Sequence, residues 1–213
     1  PTEIVPNAVS VQENTDTSAG ISLGVLTSID QDLGEQFIYT VESGNDAEYF
    51  SIGGINGDEL IIQGVALDFE TKADYECVIR STDSQGLFVD QVISVALTDI
   101  NETPTLDNQS FSIDENSING TVVGFLSAVD ADVDEVLSYR VIGGTGVGVL
   151  DVDQSTGEVF VRDETLLNYE TTPMVNLLVE VVDDEGLSDS AEISIQLNDV
   201  NDEQILVENS VLL

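Results

Sequence analysis

The sequence predicts an all-β protein composed of two tandem seven-stranded Greek-key β-sandwiches. Three observations support this fold class. Five sequence landmarks recur in the same order about 100 residues apart. Polar and apolar residues alternate with a period of two, and glycine-containing turns separate the alternating stretches. About seven short strands per 100 residues are typical of a Greek-key sandwich, and no amphipathic helix is evident.

An internal repeat defines the domain organisation. Val11–Asn14 is matched by Ile113–Asn116, 102 residues later. The other four landmarks recur 100 residues apart: Ile29–Asp32 and Val129–Asp132, Leu67–Glu70 and Leu167–Glu170, Thr82–Leu87 and Val182–Leu187, Asp99–Glu102 and Asp199–Asp202. The common order predicts two homologous domains, residues 1–101 and 102–213, joined by a linker at about residues 99–104.

Period-two alternation and turn residues locate several strands. Gln91–Leu97 and Ala191–Leu197 alternate most regularly and are rich in β-branched residues. Two further stretches read as strands, Thr121–Ser127 and Met174–Val182. Asn56-Gly57 and Thr156-Gly157 lie between apolar stretches, and we expect each pair to form a hairpin turn because glycine tolerates positive φ.

The charge of the chain is strongly negative. Its 42 acidic and 4 basic residues give a net charge of −38. Such a surface repels nucleic acid and anionic membranes, and its oxygen ligands favour hard cations such as calcium or magnesium. A solvated acidic coat, as in halophilic or marine proteins, explains about half of the carboxylates in our interpretation. It does not explain why the remaining carboxylates recur in clusters.

Residue types that are rare or missing exclude other functions. The chain has no histidine, which excludes histidine-based zinc sites and Ser-His-Asp triads. Its single cysteine, Cys77, lies in the apolar stretch Tyr75–Ile79 and is expected to be buried. No run of 18 apolar residues predicts a membrane span, and no signal peptide is visible. We therefore expect a non-enzymatic segment of a longer protein.

The landmarks resemble those of the cadherin repeat family. That family has a glutamate near the start of each repeat, then Asp-x-Asp, a hairpin with Thr-Gly at the turn, Leu-Asp-x-Glu, and a closing Asp-x-Asn linker. Here the hairpin is Leu150–Val159 and the linker is Asp99–Pro104. The resemblance covers nearly the whole chain twice. It implies immunoglobulin-like sandwiches, an extracellular or cell-surface location, and a role in a surface or adhesion protein.

The resemblance also implies calcium ions at the junction between repeats. Calcium takes 6–8 oxygen ligands, more than one short loop here supplies. Carboxylates, an amide and the carbonyls of Ile100 and Thr103 would provide them. Carried over by motif, the ligands are Glu13, Asp68, Glu70, Asp99, Ile100, Asn101, Glu102, Thr103, Asp130, Asp132 and Asp183. We expect two or three ions, which would turn a self-repelling hinge into a stiff joint.

Further half-sites would face repeats outside this chain and are expected to bind more weakly. The set at the end of the second repeat comprises Glu115, Glu170, Asp199, Asn201 and Asp202. Asn168 occupies the aspartate position of Leu-Asp-x-Glu there and offers only a neutral oxygen. The set at the start of the first repeat comprises Asp30, Asp32 and Asp83. Glu102 replaces the usual aspartate of the linker, which runs one residue short and leaves the ion count open.

Other interpretations explain less of the sequence. Asp130–Asp134 resembles the opening of an EF-hand, but Glu135 and Val141 occupy the positions that require glycine and glutamate. A calcium-dependent carbohydrate-binding module of a secreted protein is the main alternative. The open partners are neighbouring repeats, a second copy of the chain and a polysaccharide. Tryptophan-mediated strand exchange is excluded because tryptophan is absent, and the extreme acidity suggests a bacterial surface protein.

Overall fold

The computed structural model describes residues 1–6, 8–32, 34–133 and 135–201. The chain forms two compact units, Pro1–Ile100 and Asn101–Leu213, which we call unit 1 and unit 2. Within the described residues the only helical segments are single 3₁₀ turns, Ala47–Tyr49 and Glu164–Leu166. The all-β prediction is confirmed.

Unit 1 pairs its strands in a sandwich of a four-stranded and a three-stranded sheet. The larger sheet has the order β2-β9-β8-β5, the smaller one β3-β7-β6, and β1 pairs with β4. The β2–β9 pair is parallel, and the other pairs are antiparallel. The strands are β1 (Glu3–Val5), β2 (Ala8–Gln12), β3 (Ile21–Val25), β4 (Thr27–Ile29), β5 (Ile38–Ser43), β6 (Phe50–Gly53), β7 (Glu59–Ile62), β8 (Asp74–Thr82) and β9 (Phe88–Thr98).

Unit 2 repeats this topology strand for strand. Its sheets have the orders β11-β18-β17-β14 and β12-β16-β15, and β10 pairs with β13. The β11–β18 pair is again parallel. The strands are β10 (Thr105–Leu106), β11 (Gln109–Asp114), β12 (Val122–Phe125), β13 (Ala128–Val129), β14 (Ser138–Gly143), β15 (Leu150–Val152), β16 (Glu158–Val161), β17 (Met174–Val182) and β18 (Ser188–Asn198).

The nine strands in each described unit correspond to the seven predicted. In unit 1, β1 and β2 are parts of one N-terminal segment that pairs first with β4 and then with β9. Likewise β3 and β4 are consecutive parts of one segment, separated by the buried Leu26. Counting each divided segment as one strand gives seven. The same division occurs in unit 2.

The core of each unit comes from the inward positions of alternating strands. In β8 every second side chain is buried, including Tyr75, Cys77 and Ile79, and these pack against Ile93 and Val95 of β9. Full burial of each such apolar side chain contributes about 1.5–3 kcal/mol. Burial of Cys77 is therefore confirmed, and it raises the pKa of the thiol to about 12.

The predicted hairpin turns are present. Gly57 lies between β6 and β7 with φ +69°, and Gly157 lies between β15 and β16 with φ +68°. Asp153 organises the second turn, because its Oδ1 accepts hydrogen bonds from the backbone N–H groups of Ser155 and Thr156, each at 2.9 Å.

Two glycines of unit 2 allow a direct test of backbone packing. A Cβ on Gly144 would lie 2.8 Å from Leu177 Cα, whereas one on Gly148 would meet nothing within 4 Å. Both glycines have positive φ, so Gly148→Ala should lower the free energy of unfolding only by the backbone strain of alanine, about 1–2 kcal/mol. Gly144→Ala should lower the free energy of unfolding, measured by urea denaturation, by about 1–3 kcal/mol more, because the backbone at Leu177 must move to admit the methyl group. Equal losses would contradict this packing.

Candidate metal centre

Acidic side chains collect where neighbouring strands of the large sheet end. In unit 1, Glu13 follows β2 and Asp99 follows β9. These strands are parallel neighbours, with Gln12 opposite Thr98, so their ends meet at the same edge. The parallel pairing of the first and last strands therefore brings the start of the repeat beside its C-terminal end.

Glu13 is buried and connects three segments of unit 1. Its side chain is 1% exposed. Oε2 accepts a hydrogen bond from the Phe69 N–H at 2.8 Å, and Oε1 accepts one from the Ile100 N–H at 2.9 Å. Oxygens of Glu70 lie within 4.8 Å of carboxylate oxygens of Glu13 and of Asp99. The buried glutamate thus holds the loop of Glu70 and the end of the repeat together.

Unit 2 builds the same arrangement. Glu115 is 2% exposed, and its carboxylate accepts hydrogen bonds from the N–H groups of Tyr169 at 2.8 Å and Val200 at 2.9 Å. These two bonds lower the pKa of Glu115 below its usual value. One oxygen each of Glu115, Glu170 and Asp199 lies within 4.8 Å of the others. Three carboxylates so close together are the donor set that a hard divalent cation prefers.

The aspartate of the Leu-Asp-x-Glu motif has a structural role as well as the predicted ligand role. Asp68 Oδ1 accepts from the Thr71 N–H at 2.9 Å, and Oδ2 accepts from the Thr71 hydroxyl at 2.8 Å. In unit 2, Asn168 Oδ1 accepts from the Thr171 N–H at 2.8 Å. Asparagine therefore preserves the turn and removes the charge, which explains why the substitution is compatible with the fold.

The opposite end of the large sheet in unit 2 carries a second group of oxygens. Asp183 follows β17, is 4% exposed, and accepts hydrogen bonds from the Leu187 N–H at 2.8 Å and from Asn101 Nδ2 at 3.0 Å. Although burial acts to raise the pKa of Asp183, these hydrogen bonds lower it. Asp132 accepts from the Glu102 N–H at 2.7 Å, and Asp130 accepts from the Asp132 N–H at 3.1 Å.

Two buried oxygens in this second group lack a hydrogen-bond donor among the residues that the structure describes. They are Asn101 Oδ1 and Asp130 Oδ2. A buried acceptor without a partner costs roughly 1–3 kcal/mol, more when it is charged. A cation would satisfy both oxygens. The donor set is composed of oxygens alone, which fits calcium and not a soft metal.

The corresponding end of unit 1 has the same orientation of carboxylates. The nitrogen of Pro1 lies 2.7 Å from Asp30 Oδ2 and 3.8 Å from Asp83 Oδ2, so both carboxylates point toward one position. Asp30 Oδ1 accepts from the Asp32 N–H at 2.9 Å. The hydrogen bond from the backbone N–H of Asp32 lowers the pKa of Asp30.

The remaining predicted ligands fall outside the strands. Ile100, Thr103 and Asn201 lie in segments without regular secondary structure that flank the long strands β9 and β18. Asp202 lies outside the described residues. The ligand roles of all these residues, including the carbonyls of Ile100 and Thr103, stay predictions.

Sequence reasoning overlooked one acidic pair. Asp184 N–H approaches Glu135 Oε2 at 3.5 Å, and a side-chain hydrogen bond to Asp184, together with burial, raises the pKa of Glu135 to about 7. In unit 1 the same contact is made by Ser84, whose hydroxyl donates to Glu35 at 2.5 Å. Aligning the two repeats shows the exchange of serine for aspartate and was the available signal.

Comparison with known proteins agrees with this architecture. Residues 109–198 match the family model described as Cadherin domain. Human Protocadherin Fat 4 is 31% identical over 210 residues, covering 94% of this chain and 4% of that protein. Drosophila melanogaster Protein dachsous is 28% identical over 179 residues, covering 79% of this chain and 5% of that protein. The chain thus spans less than a tenth of these relatives.

A solved structure shows the same fold. The crystal structure of mouse Cadherin-23 EC22-24 superposes with a TM-score of 0.73 at 20% identity, covering 94% of this chain and 67% of that one. Fold and acidic motifs together define a class of tandem β-sandwich repeats. Within this class, residues 109–198 are a cadherin domain, and the similarity of the whole chain to cadherin relatives supports two tandem cadherin repeats.

The match to the cadherin domain family tests several of the predictions made from the sequence. Cadherin domains are extracellular, non-enzymatic modules of adhesion proteins, which confirms the predicted location and the expected lack of enzymatic function. No helix in the described residues is long and apolar enough to cross a membrane. The polysaccharide-binding alternative gains no support, and the bacterial source stays a prediction.

We expect the stability of unit 2 to depend on pH because Glu135 and Asp184 lie close together. The pKa of Glu135 is raised from 4.5 to about 7, so the native state is stabilised when Glu135 is protonated. This stabilisation is complete below pH 4.5 and is lost as the pH rises through about 7. Asp184→Ser, which copies unit 1, should raise the melting temperature in EDTA more at about pH 8 than at about pH 5. A pH-independent difference between variant and wild type would contradict this assignment.

Proposed function

We propose that this chain is a calcium-stiffened segment of a longer extracellular adhesion or surface protein. The observation that carries the proposal is the pair of buried glutamates, Glu13 and Glu115, each with further carboxylates beside it. The four basic side chains all pair elsewhere: Lys72 with Asp46, Arg80 with Asp90, Arg140 with Glu180 and Arg162 with Asp151. In this proposal the cation that neutralises the acidic groups comes from solution.

The electrostatic cost of these groups supports a divalent ion. Two like charges about 4 Å apart repel by about 1 kcal/mol in water and about 4 kcal/mol at the effective dielectric constant of a protein surface. Within unit 2, Glu115, Glu170 and Asp199 form three such pairs. A bound calcium ion would replace this repulsion by attraction, and its oxygen coordination would fix the loops that carry the ligands.

We further propose that neighbouring repeats share their ions. Asp99 and Ile100 end unit 1, and Asn101, Glu102 and Thr103 begin unit 2 directly after them. The proposed ligands of unit 1 are Glu13, Asp68, Glu70, Asp99 and Ile100, and those of unit 2 are Asn101, Glu102, Thr103, Asp130, Asp132 and Asp183. Within this proposal the repeats keep the boundaries 1–101 and 102–213.

In this proposal the partners are further cadherin repeats in the same polypeptide. The set Glu115, Glu170, Asp199, Asn201 and Asp202 would receive the next repeat, and Asp30, Asp32 and Asp83 the preceding one. In this proposal each set supplies only one side of a shared coordination sphere, so we expect weaker binding there until the adjacent repeat adds its ligands. Calcium would then stiffen the array one junction at a time.

Matched substitutions in the two repeats test the shared-ion proposal. Glu70→Gln should raise the dissociation constant for calcium at the junction ~10-fold, from roughly 10⁻⁴–10⁻³ M, because it removes one charged ligand. Glu170→Gln should change calcium binding at this junction much less, because in this proposal Glu170 belongs to the site shared with the next repeat. Calorimetric titration of both variants measures the difference. If both substitutions raise the dissociation constant for calcium equally, the ions are not shared by the two repeats.

A further inference from the structure

The outer face of the large sheet in unit 1 carries an exposed apolar surface. One row across the sheet consists of Ile38 on β5, Thr82 on β8 and Phe88 on β9. Four residues away along β8, Val78 lies opposite Val92 of β9. The alternate residues of these strands point into the core, so this set points outward. Ile38 is 69%, Phe88 55% and Val92 50% exposed. We call Ile38, Val78, Phe88 and Val92 the apolar face.

Unit 2 keeps an apolar residue, Leu178, at the position of Val78 but differs at the other three positions of the apolar face. The same register places Ser138 beside Val182 and Ser188, and Glu192 beside Leu178. Serine or glutamate therefore replaces Ile38, Phe88 and Val92 on a sheet of the same topology, whereas Met174 and Val182 replace Asp74 and Thr82. Because unit 2 folds in the same way, these three apolar residues are not required by the fold. Clustered exposed apolar residues of this kind mark interaction surfaces.

Charged groups around the apolar face select the kind of partner. Arg80 lies between its rows, stacks 4.0 Å from the Phe88 ring centre, and donates to Asp90 at 2.7 and 2.8 Å. Exposed carboxylates on outward positions surround it, namely Glu42, Asp74, Glu76 and Asp90, and Arg80 lies 3.5 Å from Glu42 as well, so the four acidic groups outnumber the one cation. The surface therefore presents an apolar centre with an acidic rim.

We propose that the apolar face docks a protein segment of complementary character, with apolar side chains flanked by lysine or arginine. Charge complementarity favours this partner over a second copy of the chain. A second copy carries a net charge of −38, and each of its four basic side chains already bonds to a carboxylate of its own. Two such faces would bring their acidic rims together without compensating cations.

A titration with designed peptides tests this docking surface. The probe is a short peptide of alternating lysine and leucine, with lysine–serine and glutamate–leucine peptides of equal length as controls. The full chain is kept in saturating calcium so that its metal sites are filled. We expect the lysine–leucine peptide alone to bind tightly and to shift the backbone NMR signals of residues 38, 78, 88 and 92. The double variant I38S/F88S should bind it at least ~10-fold more weakly.

Further variants and outcomes separate docking from other effects. Serine already occupies both matching positions of unit 2, so I38S/F88S should fold and should titrate calcium like the wild type, whether or not the proposed calcium function holds. The reverse exchange, S138I/S188F/E192V, should create a second binding surface. Equal binding of the lysine–serine peptide, or unchanged affinity in I38S/F88S, would overturn the proposal. A wild-type dimer in sedimentation that I38S/F88S abolishes would also overturn it, in favour of self-association.

Discussion

A buried glutamate at the base of each repeat is the interaction on which the rest of the structure depends. Glu13 and Glu115 are almost fully buried, and each carboxylate is satisfied by two backbone N–H groups from different segments. A charge in this position is tolerated because these donors replace its hydration. The same hydrogen bonds place the following carboxylates at one edge of the sheet. Folding and the acidic cluster therefore have a common origin.

The distribution of charge divides the molecule into regions with different roles. The four basic residues form local ion pairs with carboxylates on strands and loops, Arg80 with both Asp90 and Glu42, and these partners are not the carboxylates at the ends of the sheets. Those ends remain strongly acidic, and in our proposal a cation from solution neutralises them. The outer sheet faces differ between units, since Ile38, Phe88 and Val92 of unit 1 are replaced by serine or glutamate on unit 2. Thus the two repeats share a fold and differ in surface.

The sequence predicted the repeat, the strand pattern and the hairpin turns, because each depends on local alternation and on glycine. Division of the first strand into β1 and β2 was not predictable, since it depends on which sheet each half pairs with. The second role of Asp68 was also hidden, because its hydrogen bonds to Thr71 appear only in the folded turn. The raised pKa of Glu135 depends on a contact 49 residues away in sequence.

Small-angle X-ray scattering of the chain, with calcium and with EDTA, tests the central claim most directly. If calcium is held at the ends of the repeats and stiffens their junction, adding it in excess should convert the profile of a flexible pair into that of a rigid one. The maximum dimension should become sharply defined, at calcium concentrations of roughly 10⁻⁴–10⁻³ M. Identical profiles with calcium and with EDTA would contradict the account and reduce the carboxylates to a solubilising surface.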